Sequence, residues 1–219
     1  MLLRGHGGQP VFRDDVDRAA FLSALQAAAR AEQVAIHAYA LLSDRVWLLV
    51  TPASAPALAR AVQALGRRFS AAFNRRHRRS GAVWDGRYRS TVIGPAPTVL
   101  EAMVYVDQAP VRAGASSGAL AASWSSAAQH AGLSSEFPLT DVSAYWSLGN
   151  TPFDRCSVYR GLVDEPLDEG RAASFEVAVL RGWPVGSPAF LDELKSRTSR
   201  PLSARPRGRP RHRSAPVEP

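Results

Sequence analysis

Apolar residues recur at two different periods along the first half of this chain, and the switches between them mark its elements. Val16, Phe21, Leu22 and Leu25 follow Asp14 and Asp15 at helical spacing, which predicts an N-capped amphipathic helix running to about residue 32. From 34 to 42 and from 46 to 51, apolar and aromatic residues flank Ser43 and Asp44, which predicts a β-hairpin. Leu58, Val62, Leu65, Phe69 and Phe73 then recur every three or four positions, predicting a long helix over 54–78 with one apolar stripe. Its other face is arginine. A strand over 88–93 and a helix over 98–108, ending before Pro110, complete the series. The order strand, helix, strand, strand, helix, strand, helix predicts an α+β ferredoxin-like sandwich, an antiparallel sheet with helices on one face. Only three residues precede Arg4, so the first strand is short or the true start lies upstream.

The second half reads differently. Residues 1–114 form the expected sandwich domain, and a Ser/Ala/Gly-rich passage over 115–135 reads as a linker. A helical region over 136–196 follows, with short helices expected at 140–148, 153–163, 167–180 and 188–195. Residues 197–219 form an Arg/Pro-rich tail whose composition predicts disorder.

Composition changes this picture mainly through charge. With 219 residues and 46% hydrophobic content the chain can bury one substantial core. Residues 1–112 carry 15 arginines against 8 acids, 113–195 carry 5 basic against 10 acidic residues, and 196–219 carry 7 arginines against 1 acid. A basic front and a basic tail around an acidic middle point to a polyanion engaged at two places, with nucleic acid as the leading partner. The preference for Arg over Lys has a simpler source in a GC-rich genome, which leaves the segregation of charge unexplained. Cys156 stands alone, so no intrachain disulfide forms. No apolar run approaches a membrane span, and no signal peptide opens the chain; a bacterial cytoplasmic, nucleoid-associated setting is expected.

Several blocks, in order, carry a family resemblance. They are Arg4-Gly5 through Gln9-Pro10-Val11-Phe12, Leu65-Gly66-Arg67-Arg68, Phe73-Asn74-Arg75-Arg76, Gly81 through Ser90 with Trp84-Asp85-Gly86-Arg87-Tyr88, Tyr105-Val106-Asp107-Gln108-Ala109-Pro110-Val111-Arg112-Ala113, and Ser123-Trp124-Ser125-Ser126. Together they resemble the single-tyrosine HUH transposases (transposase IS200-like), in particular the REP-associated tyrosine transposases. The resemblance implies a ferredoxin-like fold, DNA hairpins or single strands as partners, a nucleophilic tyrosine at Tyr105 and a divalent cation such as Mg or Mn. In such enzymes the cation is held by two histidines on one strand and an Asn or Gln four residues after the tyrosine. The matching positions here are Arg45, Trp47 and Ala109. A guanidinium and an indole have donors only, and alanine has neither donor nor acceptor in its side chain, so none can ligate a cation. The expectation is therefore no metal and a retained but idle Tyr105, since a phenol with a pKa near ~10 is a poor nucleophile without that support. A residual activity, with Arg45 standing in for the ion and Tyr105 forming a 5′-phosphotyrosine, is the enzyme-class alternative.

Two readings of Arg45 and Trp47 stay open: a phosphate clamp with a base-stacking ring, or a carboxylate partner with an apolar filler. Arg67, Arg68, Arg75, Arg76, Arg78, Arg79, Arg87 and Arg89 are expected to contact DNA phosphates, because no acid occurs between Ser54 and Val83. Trp84, Tyr88 and Trp47 are the candidate stacking surfaces. In the tail, Arg207-Gly208-Arg209-Pro210 resembles the core of an AT-hook, which implies minor-groove contact by Arg207 and Arg209; nonspecific phosphate binding fits equally. His37 is expected to face away from residues 45 and 47 and to be structural. A protein-interaction module built on the acidic helices is the third reading.

Overall fold

Asp14 caps the first helix as its position predicts, accepting the Asp17 backbone N–H (3.1 Å) at the head of α1 (Asp15–Ala31). This computed structural model describes residues 1–203, so the AT-hook-like segment with Arg207 and Arg209 lies outside the described residues. Three strands, β1 (Leu2–Arg4), β2 (Val34–Leu41) and β3 (Arg45–Pro52), form an antiparallel sheet in the order β1-β3-β2. Leu2 and Ala40 both lie opposite Trp47, and Arg4 lies opposite Arg45. The hairpin turns at Ser43 and Asp44, closed by Leu42 N–H to the Arg45 carbonyl. α2 (Ala57–Arg76) buries Ala57, Ala61, Leu65, Phe69 and Phe73, the stripe read from the sequence.

The expected strand over 88–93 is an irregular segment instead. Arg89 exchanges both backbone hydrogen bonds with Leu2, and Asp85 N–H reaches the Arg4 carbonyl, so residues 84–89 run along the free edge of β1. Gly86, at φ 67°, turns the chain between those contacts, and β1 is too short to template more.

Helices cover both faces of the sheet, which corrects the expectation of one. Strand β2 is buried almost without interruption, the signature of a sheet packed on both sides rather than alternating between core and water. On one face Leu3, Ile36, Leu41, Val46 and Leu48 meet Phe21, Leu25, Leu65 and Phe69 of α1 and α2. On the other, Leu2, Ala38, Ala40, Trp47 and Leu49 meet α3 (Thr98–Asp107) and residues of the C-terminal helices, including Tyr159 and Phe175.

Those helices are α4 (Ala109–Arg112), α5 (Ala127–His130), α6 (Ser143–Trp146), α7 (Pro152–Asp164), α8 (Glu169–Arg181) and α9 (Pro188–Arg197). The passage over 115–135, read as a linker from its composition, packs along β2. Leu41 N–H bonds to the Trp124 carbonyl and Ser126 N–H to the Tyr39 carbonyl. No described helix is long and apolar enough to cross a membrane.

A bulge between Ile36 and Ala38 reverses the expectation for His37. The extra residue shifts the side-chain alternation, and the His37 ring meets the Thr51 hydroxyl (2.7 Å), on the face that carries residues 45, 47 and 49. Its Nδ1 lies 2.6 Å from the Thr140 carbonyl, so the ring remains a structural tie.

Candidate nucleic-acid interface

Seven residues are two turns of an α-helix, so Arg60 and Arg67 share one line along α2, as do Arg68 and Arg75. Arg67, Arg68, Arg75, Arg78, Arg87 and Arg89 are exposed and form no ion pair among the described residues. Two of the helix arginines are engaged by α1 instead. Arg60 donates to Glu32 (2.6 Å), and Arg76 donates to both Asp14 (2.6 Å) and Asp17 (2.6 Å). Those contacts hold the Asp14 carboxyl down at about 2, with the Arg76 hydrogen bond as the largest cause. Arg76, expected to face phosphate, thus locks the end of α2 to the start of α1. Arg79 turns back too, donating to the Ala82 carbonyl (3.0 Å) with its guanidinium 5.6 Å from the Phe73 ring centre.

A groove of about 860 Å³ runs between α2, the 84–90 segment and the end of α8. Arg4, Arg60, Arg87, Arg89, Arg181 and Arg200 line it, and Asp85 is its only acid among the described residues. Arg181 and Arg200 come from the acidic half of the chain and from the start of the tail. They reach the groove because α8 ends there in the left-handed Gly182 (φ 71°), and no local sequence signal marks them. Trp84 is a wall of the groove more than a platform. Its ring packs against Phe21 and Phe69 (centroids 5.9 and 5.6 Å), and its buried indole N–H has no partner.

Tyr105 sits on the opposite face of the sheet, on α3. Its ring is 4% exposed. Trp47 meets it edge-on (5.2 Å between centroids), Phe175 of α8 covers it (5.2 Å), and the Arg112 guanidinium lies 3.8 Å from its centre. Arg112 also donates to the Tyr105 carbonyl. Burial pushes the phenol up to about 12, with Arg112 pulling the other way. Arg45 forks onto its neighbour Asp44, with bonds of 3.0 and 2.8 Å. Trp47 is buried in the same apolar cluster as Tyr105 and Ala109.

A divalent cation does not fit these residues. The ring and guanidinium partners of Tyr105 are Trp47, Phe175 and Arg112, none of which offers a lone pair to a metal. Among the described residues no three His, Cys, Asp or Glu side chains come together as a ligand set.

Two residues past Tyr105, Asp107 anchors a polar cluster that the sequence did not announce. Its carboxylate accepts the Ser126 hydroxyl, the Tyr159 hydroxyl (2.7 Å) and His130 Nδ1–H (2.7 Å). His130 Nε2 lies 2.9 Å from the His37 carbonyl oxygen. A carbonyl only accepts, so Nε2 donates to it, and with a carboxylate at Nδ1 the arrangement favours the imidazolium form. Burial is the largest single influence and lowers the His130 pKa, but the charge and hydrogen bond of Asp107, the His37 carbonyl and Asp141 together outweigh it and raise the value.

No protein-family model and no curated protein matches the chain. A solved structure described as that of a REP-associated tyrosine transposase bound to a REP hairpin is similar at 16% identity, over 65% of this chain and 87% of that one, with a TM-score of 0.49.

Proposed function

We propose that this chain is a transposase-like DNA-binding protein that takes hairpin or single-stranded DNA and has lost strand cleavage. The ordered sequence blocks around Gly66, Trp84 and Tyr105 support the family, and the same reading takes the fold as ferredoxin-like. The edge order of residues 84–89, β1, β3 and β2, with α1 and α2 on one face, supports that fold. The carrying observation is a separation within the molecule. A groove with six arginines and one acid lies at one edge of the sheet, while the family's nucleophile is buried between Trp47 and Phe175, on the wall of a separate apolar cavity, with no metal-ligand set around it among the described residues. Like charges that outnumber the acids beside them are stabilised by a polyanion, which releases condensed cations as it binds. A phenol raised to about 12 and covered by α8 is poorly placed to attack a phosphate.

The test is binding of a labelled DNA hairpin with a single-stranded extension, titrated across salt. Affinity falls steeply with salt, and Arg87→Ala and Arg89→Ala each reduce the log–log slope by roughly 0.7 to 0.9. Arg76→Ala lowers thermal stability and leaves that slope unchanged, since its guanidinium serves Asp14 and Asp17. Binding that is absent or insensitive to salt overturns the DNA reading and favours the acidic helices as a protein-docking surface. A covalent adduct between the strand and Tyr105 overturns the loss of chemistry.

A further inference from the structure

The basic groove does not end blindly. Ser90, Val179, Gly182 and Arg200 line both it and a second cavity of about 430 Å³, so the two adjoin across these residues. The second cavity is mainly apolar, with Trp47, Ile93, Val99, Phe175 and Val179 among its walls, and Tyr105 and His37 also line it. Its volume lies in the ~300–1,000 Å³ range of small-molecule sites.

Two of the hydroxyls around this cavity are satisfied by the protein. The Thr51 hydroxyl meets His37, and the Thr91 hydroxyl donates to the Trp183 carbonyl. What enters must therefore gain mainly from its flat or apolar faces. The boundary between the two spaces is charged: a side chain at Gly182 would begin 2.7 Å from Arg200 Nη2, so the guanidinium rests where residue 182 has no Cβ. The left-handed φ of 71° at Gly182 independently requires glycine there.

We propose that this cavity holds one unpaired nucleobase of a bound DNA strand, with the phosphate of that nucleotide on Arg200 at the junction and the flanking phosphates in the arginine groove. The inference rests on the DNA-binding reading above and adds to it a place for a base. An aromatic and aliphatic chamber receives the faces of the base, as pockets for extruded bases do. The groove beside it supplies the charge that an apolar chamber alone lacks. Any of the four bases has faces to bury, so the site selects unpaired over paired nucleotides more than it selects sequence. Ser90, at the junction, is placed to meet a base edge or a phosphate oxygen.

The experiment compares two probes of equal charge and length, an oligothymidylate and a strand of abasic phosphodiesters, by anisotropy at one salt concentration. The full-length protein binds oligothymidylate roughly tenfold more tightly than the abasic strand, the scale of base-on-aromatic contacts. Val99→Phe fills the cavity from α3 and lowers that ratio at least about threefold, with abasic-strand affinity unchanged. Ile93→Phe, from the irregular segment opposite, repeats the result should Val99→Phe fail to fold. Arg200→Gln weakens both probes. If neither strand binds, the DNA reading itself fails. If both bind and the ratio is unmoved by a folded cavity-filling variant, the base site is wrong and the DNA reading stands.

Discussion

The two faces of the sheet are built on different principles. Under α1 and α2 the core is mainly apolar, with Asp17 and its partners Arg76 and His77 at its margin: Phe12, ahead of α1, interlocks with Phe21, Phe69 and Phe73 of the helices at 5.3–5.7 Å between centroids. Under α3 the core surrounds a buried carboxylate, an imidazolium and two hydroxyls, and leaves a cavity beside Tyr105. An apolar face tolerates rearrangement, because any neighbour of the right size satisfies its atoms. A buried polar cluster does not, since each donor must find its acceptor. The α3 face therefore trades plasticity for a single arrangement, and that arrangement holds 115–135 and α7 against the sheet. The groove arginines lie outside both cores, where their side chains meet water.

The largest expected effect probes this difference directly. Asp107 is fully buried and accepts from three side chains, so Asp107→Ala strands the His130 charge and two hydroxyls together. Removing one member of a buried charged pair costs about 3–5 kcal/mol. Trimming the opposite face by Ile36→Val costs about 1 kcal/mol. Urea unfolding of the two variants measures the contrast. A loss below about 1 kcal/mol for Asp107→Ala would show that the cluster is not an interdependent unit.

Two histidines of the α3 face should give opposite responses to pH. His130 has a raised folded pKa, so the stability it contributes is complete below its unfolded value near ~6.5 and is lost as pH rises through the folded value. His37 is lowered, chiefly by burial, and also feels His130 and Asp141. The unfolded chain then binds the extra proton, and stability falls as pH drops below ~6.5. The groups facing His130 are Asp107, Tyr159, Tyr145, the His37 carbonyl and, at longer range, Asp141. Thermal melts across pH should show His130→Gln flattening the alkaline limb and His37→Gln the acidic one.

That contrast also explains what could be read from the chain in advance. Helical and strand periods report apolar stripes, so α1, β2, β3, α2 and α3 were legible to within a few residues. The cluster around Asp107 was not, because Ser126, His130 and Tyr159 come from residues 19 to 52 positions away and only the fold brings them together. The same blindness affected the arginines. No acid lies near Arg76 in sequence, yet Asp14 and Asp17 reach it from 62 and 59 residues away, while Arg181 and Arg200 join the groove from the other half of the chain. The bulge at His37 is one inserted residue in a strand of otherwise regular alternation, and composition alone does not place it.

The smallest expected effect concerns Tyr105, and its smallness is informative. The ring is held by its faces and edge: Trp47, Phe175 and the Arg112 guanidinium all meet the aromatic carbons, and the backbone carbonyl takes the Arg112 hydrogen bond. Tyr105→Phe keeps every one of those contacts and removes only the hydroxyl, so stability should change by less than about 1 kcal/mol. Hairpin affinity and its salt dependence should be unchanged, because Tyr105 does not line the arginine groove and the variant keeps the ring that walls the adjoining cavity. Tyr105→Ala instead empties the space between Trp47 and Phe175 and should cost about 3–5 kcal/mol, as loss of a buried aromatic ring does. A residue kept for chemistry would show the reverse order, with a silent effect on folding and a loss of strand-linked product in Tyr105→Phe. The pair of variants therefore separates a tyrosine retained as packing from one retained as a nucleophile, using unfolding curves and a denaturing gel of the same protein–DNA mixtures.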